Sequence, residues 1–110
     1  LNNIRDPRVI AELKKAIELN PNNALAYLNL GLVLIDLGDP EAGMSSVEFA
    51  VALQPKWAQL HYWHSIALEK TGRISEALAA SMHAASLSNE NKDYFKRSQE
   101  LAARVRRNKS

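Results

Sequence analysis

The sequence predicts an all-α chain built from antiparallel helix pairs, and three observations predict it. The first is a period of 34 residues. Pro21 and Pro55 are one period apart, as are Gly38 and Gly72, Leu34 and Leu68, and Ala24 and Ala58, while Ala16, Ala50 and Ala84 and likewise Leu19, Leu53 and Leu87 form series of three. Self-similarity at one fixed period marks a repeat architecture. The second is punctuation, with glycine or proline at the same points of each period. The third is apolar spacing that follows a helix and not a strand. Frequent alanine, leucine, glutamate and lysine favour the same class.

The elements follow in order. Asp6-Pro7 predicts a capped helix over about 7–19. A second helix is expected from about Ala24 to Leu37, with Tyr27, Leu30, Leu34 and Leu37 at helical spacing. Gly38 ends it, because glycine readily takes the left-handed conformation of a helix terminus. Asp39 as N-cap and Pro40 in the first turn start a third helix, with Val47, Ala50, Val51 and Leu53 apolar. Pro55 stops it. Helices near 58–71 and 75–87, separated by Gly72, repeat the scheme, and a last helix is expected over about 91–106.

Two glycines run against helix propensity. Gly31 and Gly43 fall inside predicted helices, where each costs about 1 kcal/mol relative to alanine. Their counterparts one period later, Ser65 and Ala77, are also small. The expectation is that all four occupy helix crossings, where a missing side chain lets backbones approach.

Composition excludes several classes. Without cysteine there is no disulfide framework, thiolate zinc site or cysteine nucleophile, though this leaves the compartment open. The longest uncharged apolar run, Leu30 to Ile35, is far short of the roughly 18 residues of a membrane span. His61 and His64 are spaced i, i+3, with His83 on the next helix, but no carboxylate completes a ligand set, so no metal or other cofactor is expected. No phosphate loop follows a strand, and no serine lies in a nucleophile elbow. Enzymatic activity is not expected. The net charge of +2 hides a basic end, because residues 92–110 carry seven bases against Asp93 and Glu100.

The period and its residues resemble the tetratricopeptide repeat family. The first full unit matches through Tyr27, Leu30-Gly31, Leu34, Gly43, Val47, Ala50 and Pro55, and the second through His61, His64-Ser65, Leu68, Ala77, Ser81, Ala84 and Asn89. Val9, Leu13, Ala16 and Pro21 resemble the closing half of a preceding unit. The resemblance implies a right-handed α-solenoid in a single domain over 1–110. Its parts would be a half repeat at 7–21, repeats at 24–55 and 58–89, a capping helix at 91–106 and a basic tail at 107–110. In that helix Tyr94, Phe95, Leu101, Ala102 and Val105 are expected to cover the last repeat, with Lys92, Lys96, Arg97, Glu100 and Arg104 meeting water. The opening at Leu1 on half a unit reads as the C-terminal part of a longer repeat array.

In that family the first helices line a concave surface that takes up peptides or partner helices. Carried over, the binding positions are Leu25, Leu28, Asn29, Leu32, Ile35 and Asp36 in the first unit. The second unit supplies Gln59, Tyr62, Trp63, Ile66, Glu69 and Lys70, and the last helix adds Asp93, Lys96, Arg97 and Glu100. Some members grip a terminal carboxylate with lysine, asparagine and arginine. Asn29 matches one such position, but Gln59 and Trp63 stand where bases are expected, so chaperone-tail binding is not predicted. The stripe Leu25, Leu28, Leu32, Ile35 makes this helix apolar all round, which requires a cover. A preceding helix, a second copy of the chain and a partner segment are the three candidates. The expected function is a scaffold that binds a protein or peptide in its groove. The alternatives are self-association through the first-helix face and docking of the tail from Arg97 to Lys109 on an anionic surface, nucleic acid being the less expected partner.

Overall fold

The computed structural model describes residues 7–108, so the Asp6 cap and the end of the basic tail lie outside the described residues. Six helices make up this span: α1 (Pro7–Leu19), α2 (Ala24–Asp36), α3 (Pro40–Leu53), α4 (Ala58–Lys70), α5 (Ile74–Leu87) and α6 (Lys92–Asn108). Among the described residues there is no strand, and the architecture is an all-α helical repeat. Each helix end lies within a turn of the point its punctuation predicts. The last helix runs on through Arg107 to Asn108, so part of the basic tail is helical. The chain divides into two compact units after Gln54, and each is described by itself.

In the first unit α2 packs along α3 and, less extensively, against α1. Asn23 caps α2, its side-chain oxygen accepting from the Ala26 amide at 3.1 Å. Gly38 ends the helix at φ +96°, and the Asp39 amide reaches back to the Leu34 carbonyl at 2.9 Å. Asp39 then caps α3 by accepting from Ala42, with Pro40 in the first turn. The crossing of α2 and α3 is where the two glycines meet. A Cβ on Gly31 would lie 2.5 Å from the Gly43 carbonyl oxygen and from a Val47 methyl. A Cβ on Gly43 would lie 2.5 Å from the Gly31 carbonyl oxygen and 2.6 Å from Ile35 Cγ1. These distances are too short for real Cβ contacts, so the backbones touch because both side chains are missing.

The second unit pairs α4 with α5, and α5 with α6. Gly72, at φ +82°, closes α4 as Gly38 closes α2, with the Arg73 amide donating to the Leu68 carbonyl at 2.9 Å. Where the first unit has the Asp39 cap, the second has Arg73, which makes no cap and instead forks onto Glu76. Ser65 and Ala77 are fully buried, as the period requires. Leu60, Leu68 and Leu101 supply the largest fully buried side chains, each contributing roughly 1.5–3 kcal/mol of burial.

The period is also visible in ring contacts. Tyr27 of α2 meets Phe49 of α3 with centroids 4.5 Å apart. One period on, His61 of α4 stacks on His83 of α5 at 4.0 Å. His61 is therefore a packing residue. Its Nε2–H donates to the Pro55 carbonyl at 2.6 Å.

Candidate functional site

In the first unit the expected binding residues separate. Leu25 and Asn29 are exposed, and Leu32, Ile35 and Asp36 are half-buried. Leu28 is a correction: it is 3% exposed and belongs to the core. Ile35 is partly used as well, since its Cγ1 lies over the Gly43 backbone. The physical reason is that α2 has helices on two sides, α1 and α3, and spends most of its apolar circumference on them. The continuous apolar stripe read from the sequence is thus interrupted at Leu28.

In the second unit the expected residues converge. On α4, Tyr62, Ser65 and Glu69 follow one another at three and four residues and share a face. On α6, Arg97 and Arg104 are seven residues apart and face them. Arg97 Nε donates to Ser65 Oγ at 2.7 Å, and its Nη2 donates to Glu69 Oε1 at 2.6 Å. Arg104 Nη1 donates to the other carboxylate oxygen, Glu69 Oε2. Ser65 itself donates to the Tyr62 carbonyl at 2.7 Å. The Arg97 guanidinium stands 5.8 Å from the centre of the Tyr62 ring, within cation–π range.

The aromatic side chains gather at the same place. Tyr62 lies 5.0 Å from Tyr94 of α6 and meets Trp63 edge-on at 5.7 Å. Burial first, then the neighbouring Tyr62 and Asp93, push the Tyr94 phenol above its ordinary pKa. Trp63 and Ile66 are half-buried beside this cluster, and Gln59, Lys70, Asp93, Lys96 and Glu100 are exposed.

Two expectations for α6 need correction. Arg97 and Arg104 do not simply meet water, and Arg97 is not free for an anionic surface. Both are held by Glu69, with Arg97 only 18% exposed. Phe95 covers the last repeat only in part: it is 59% exposed, at the edge of an open cleft lined by Leu78, Met82 and Ala85 of α5. Ser65, Tyr94 and Arg104 join the site although the sequence pattern does not assign them to it. Their signal is two-turn spacing, with Tyr62 and Glu69 on one helix and Arg97 and Arg104 on the other.

Among the described residues no three His, Asp or Glu side chains group as a metal site requires. What the arrangement does chemically is hold an aromatic and charged surface still.

This fold is that of the helical-repeat class of proteins. A sequence model described as "TPR repeat" matches residues 10–38. Protein STIP1 homolog of Dictyostelium discoideum is 35% identical over 63 residues, which is 57% of this chain and 11% of that protein. TTC0263, a thermophilic TPR protein of Thermus thermophilus, superposes with a TM-score of 0.80 at 26% identity, over 86% of this chain and 48% of its own. The first TPR of Spaghetti (RPAP3), solved bound to HSP90 peptide SRMEEVD, superposes with a TM-score of 0.75 at 17% identity, over 87% of this chain and 76% of its own. The chain therefore spans about a tenth of the curated relative and about half of the Thermus protein. It shares the helical-repeat fold of tetratricopeptide repeat proteins, and residues 10–38 match the repeat itself.

Proposed function

We propose that this chain is a protein–protein interaction module whose α4 face, centred on Tyr62 and Trp63, binds a peptide or helix of a partner protein. The observation that carries the reading is the frame around these rings. Tyr62 is fixed by Tyr94 on one side and Arg97 on another, and Arg97 is fixed in turn by Ser65 and Glu69. Rings held in place before binding lose little freedom on contact, and aromatic anchors dominate interface energies. The similarity to a repeat domain solved with a bound peptide supports the same class of function.

Gln59, Ile66, Lys70 and Lys96 are proposed to contribute around these anchors within the second unit, and Leu25, Asn29, Leu32 and Asp36 are proposed as a binding surface of the first unit by itself. Leu28 is left out, being buried. Docking of the tail on an anionic surface gains nothing from the geometry, since two of its arginines are already paired.

The test is a peptide-display selection on the immobilised chain, followed by titration of the selected peptides. Tyr62→Ala with Trp63→Ala is expected to weaken them by about 30-fold, the effect of losing a hot-spot anchor worth about 2 kcal/mol. Circular dichroism checks that the variant keeps its helices. Equal affinity for both forms would remove the α4 face as the site.

A further inference from the structure

The Arg97 and Arg104 guanidiniums converge on one point, and a carboxylate of the chain itself occupies it. Glu69 gives one oxygen to each: Oε1 accepts from Arg97 at 2.6 Å, and Oε2 accepts from Arg104. Two cations brought this close repel unless an anion lies between them. The repeat pattern does not supply that anion, because one period back the positions of Glu69, Arg97 and Arg104 hold Ile35, Trp63 and Lys70. Deep burial does not demand it either, since Glu69 is only half-buried and Arg104 is 41% exposed, so a dissolved anion can reach the same donors. The place also adjoins the aromatic anchors. Arg97 stands 5.8 Å from the centre of the Tyr62 ring and donates to Ser65, whose hydroxyl donates to the Tyr62 carbonyl.

We propose that Glu69 sets the specificity of the α4 face as a tethered competitor. It fills the place that an acidic side chain or terminal carboxylate of a partner segment would take beside Tyr62. The face therefore takes segments with apolar side chains on the rings and no acid next to them. This specificity rests on the reading of the α4 face as a peptide site. An incoming carboxylate has to displace Glu69, breaking its charge-assisted bonds to both arginines, before it makes its own. A competitor on the same chain is present at high effective concentration. Sharing the arginines is no easier, because like charges then stand side by side. Asp93 and Glu100, four residues before and three after Arg97 on the same face of α6, are exposed and add to the repulsion. Lys70 and Lys96, also exposed on these two helices, offset them in charge, so the balance turns on Glu69.

The test is a pair of peptide-display selections, one on the full chain and one on its Glu69→Gln variant. Glutamine keeps the shape but offers one acceptor oxygen where glutamate offers two, so one arginine loses its partner atom. The wild-type pool is expected to be poor in Asp and Glu, and the Glu69→Gln pool enriched in them. An acidic peptide from the second pool, titrated by fluorescence anisotropy, is expected to bind the variant about tenfold more tightly than the wild type, with the gain shrinking in high salt. Adding Arg104→Gln is expected to abolish that gain. Glu100 stands four residues before Arg104, where it can take up a released guanidinium, so Glu69→Gln with Glu100→Gln is the second variant. Circular dichroism checks that both variants keep their helices. An ion pair that only joins α4 to α6 predicts lost stability and no new ligand. Equally acidic pools from the wild type and both variants therefore overturn the proposal, as does an acid-selective affinity that survives Arg104→Gln. A wild-type pool indifferent to Tyr62→Ala with Trp63→Ala removes the face itself, which tells the two failures apart.

Discussion

A methyl group added at residue 31 would land 2.5 Å from a backbone oxygen, and backbone does not move aside as a side-chain tip does. Gly31→Val is therefore expected to lower stability by roughly 1–3 kcal/mol through overpacking, read as a fall in melting temperature. Gly38 is the contrasting case. Nothing lies within 4 Å of a Cβ there, but φ is +96°. Gly38→Ala is expected to cost about 1 kcal/mol from backbone strain alone, with helix packing unchanged. His61 carries a pH dependence. Burial lowers its pKa, the Pro55 carbonyl pulls it back up in part, and His83 lowers it again. The folded state thus holds the proton less well than the unfolded chain. The stability this confers is complete above the ordinary value of about 6.5 and declines as pH falls from there to the lowered folded value. His61→Phe keeps a ring at a position that holds Tyr27 and Phe95 elsewhere. Urea melts at pH 7.5 and 5.5 are expected to show a smaller acid loss in that variant than in the wild type.

Among the helices, α4 and α6 are joined through one carboxylate. Glu69 serves two guanidiniums, and Ser65 adds a third contact. Glu69→Gln keeps the shape and removes the charge. It is expected to cost about 1–2 kcal/mol, less than a fully buried pair because Glu69 is 29% exposed and Arg104 41%. Much of that difference should vanish in high salt, which a denaturation series at two ionic strengths would show. Arg97 released from Glu69 is also expected to loosen Tyr62, so peptide affinity on the α4 face should fall along with stability. An unchanged affinity would separate the frame from the binding face.

For the whole molecule, likeness of fold does not carry the ligand with it. The repeat domain solved with SRMEEVD shares 17% identity with this chain. At the positions where a carboxylate clamp expects bases, this chain has Gln59 and Trp63. SRMEEVD is accordingly expected to bind no more tightly than a scrambled peptide of the same composition, as isothermal titration would record. Tight, sequence-dependent binding would mean that another set of bases grips the acidic tail.

The helices, their order and their ends were legible because they depend on local chemistry. Gly38 and Gly72 turn the chain, Asp39 and Pro40 start α3, and the 34-residue period places small residues at each crossing. The likeness to tetratricopeptide repeats was legible for the same reason, as was the place of Tyr62 on a first helix. The tertiary structure alone decided which apolar residues of α2 face inward. An all-round apolar helix has no preferred side by itself, so Leu28 was lost from the candidate face only when α1 and α3 were in place. It also decided the fate of the charges. A basic helix reads as solvated until a carboxylate 28 and 35 residues away is brought against it, as Glu69 is against Arg97 and Arg104. Local propensity reaches a few residues along the chain, whereas ion pairs and burial depend on what folding brings near.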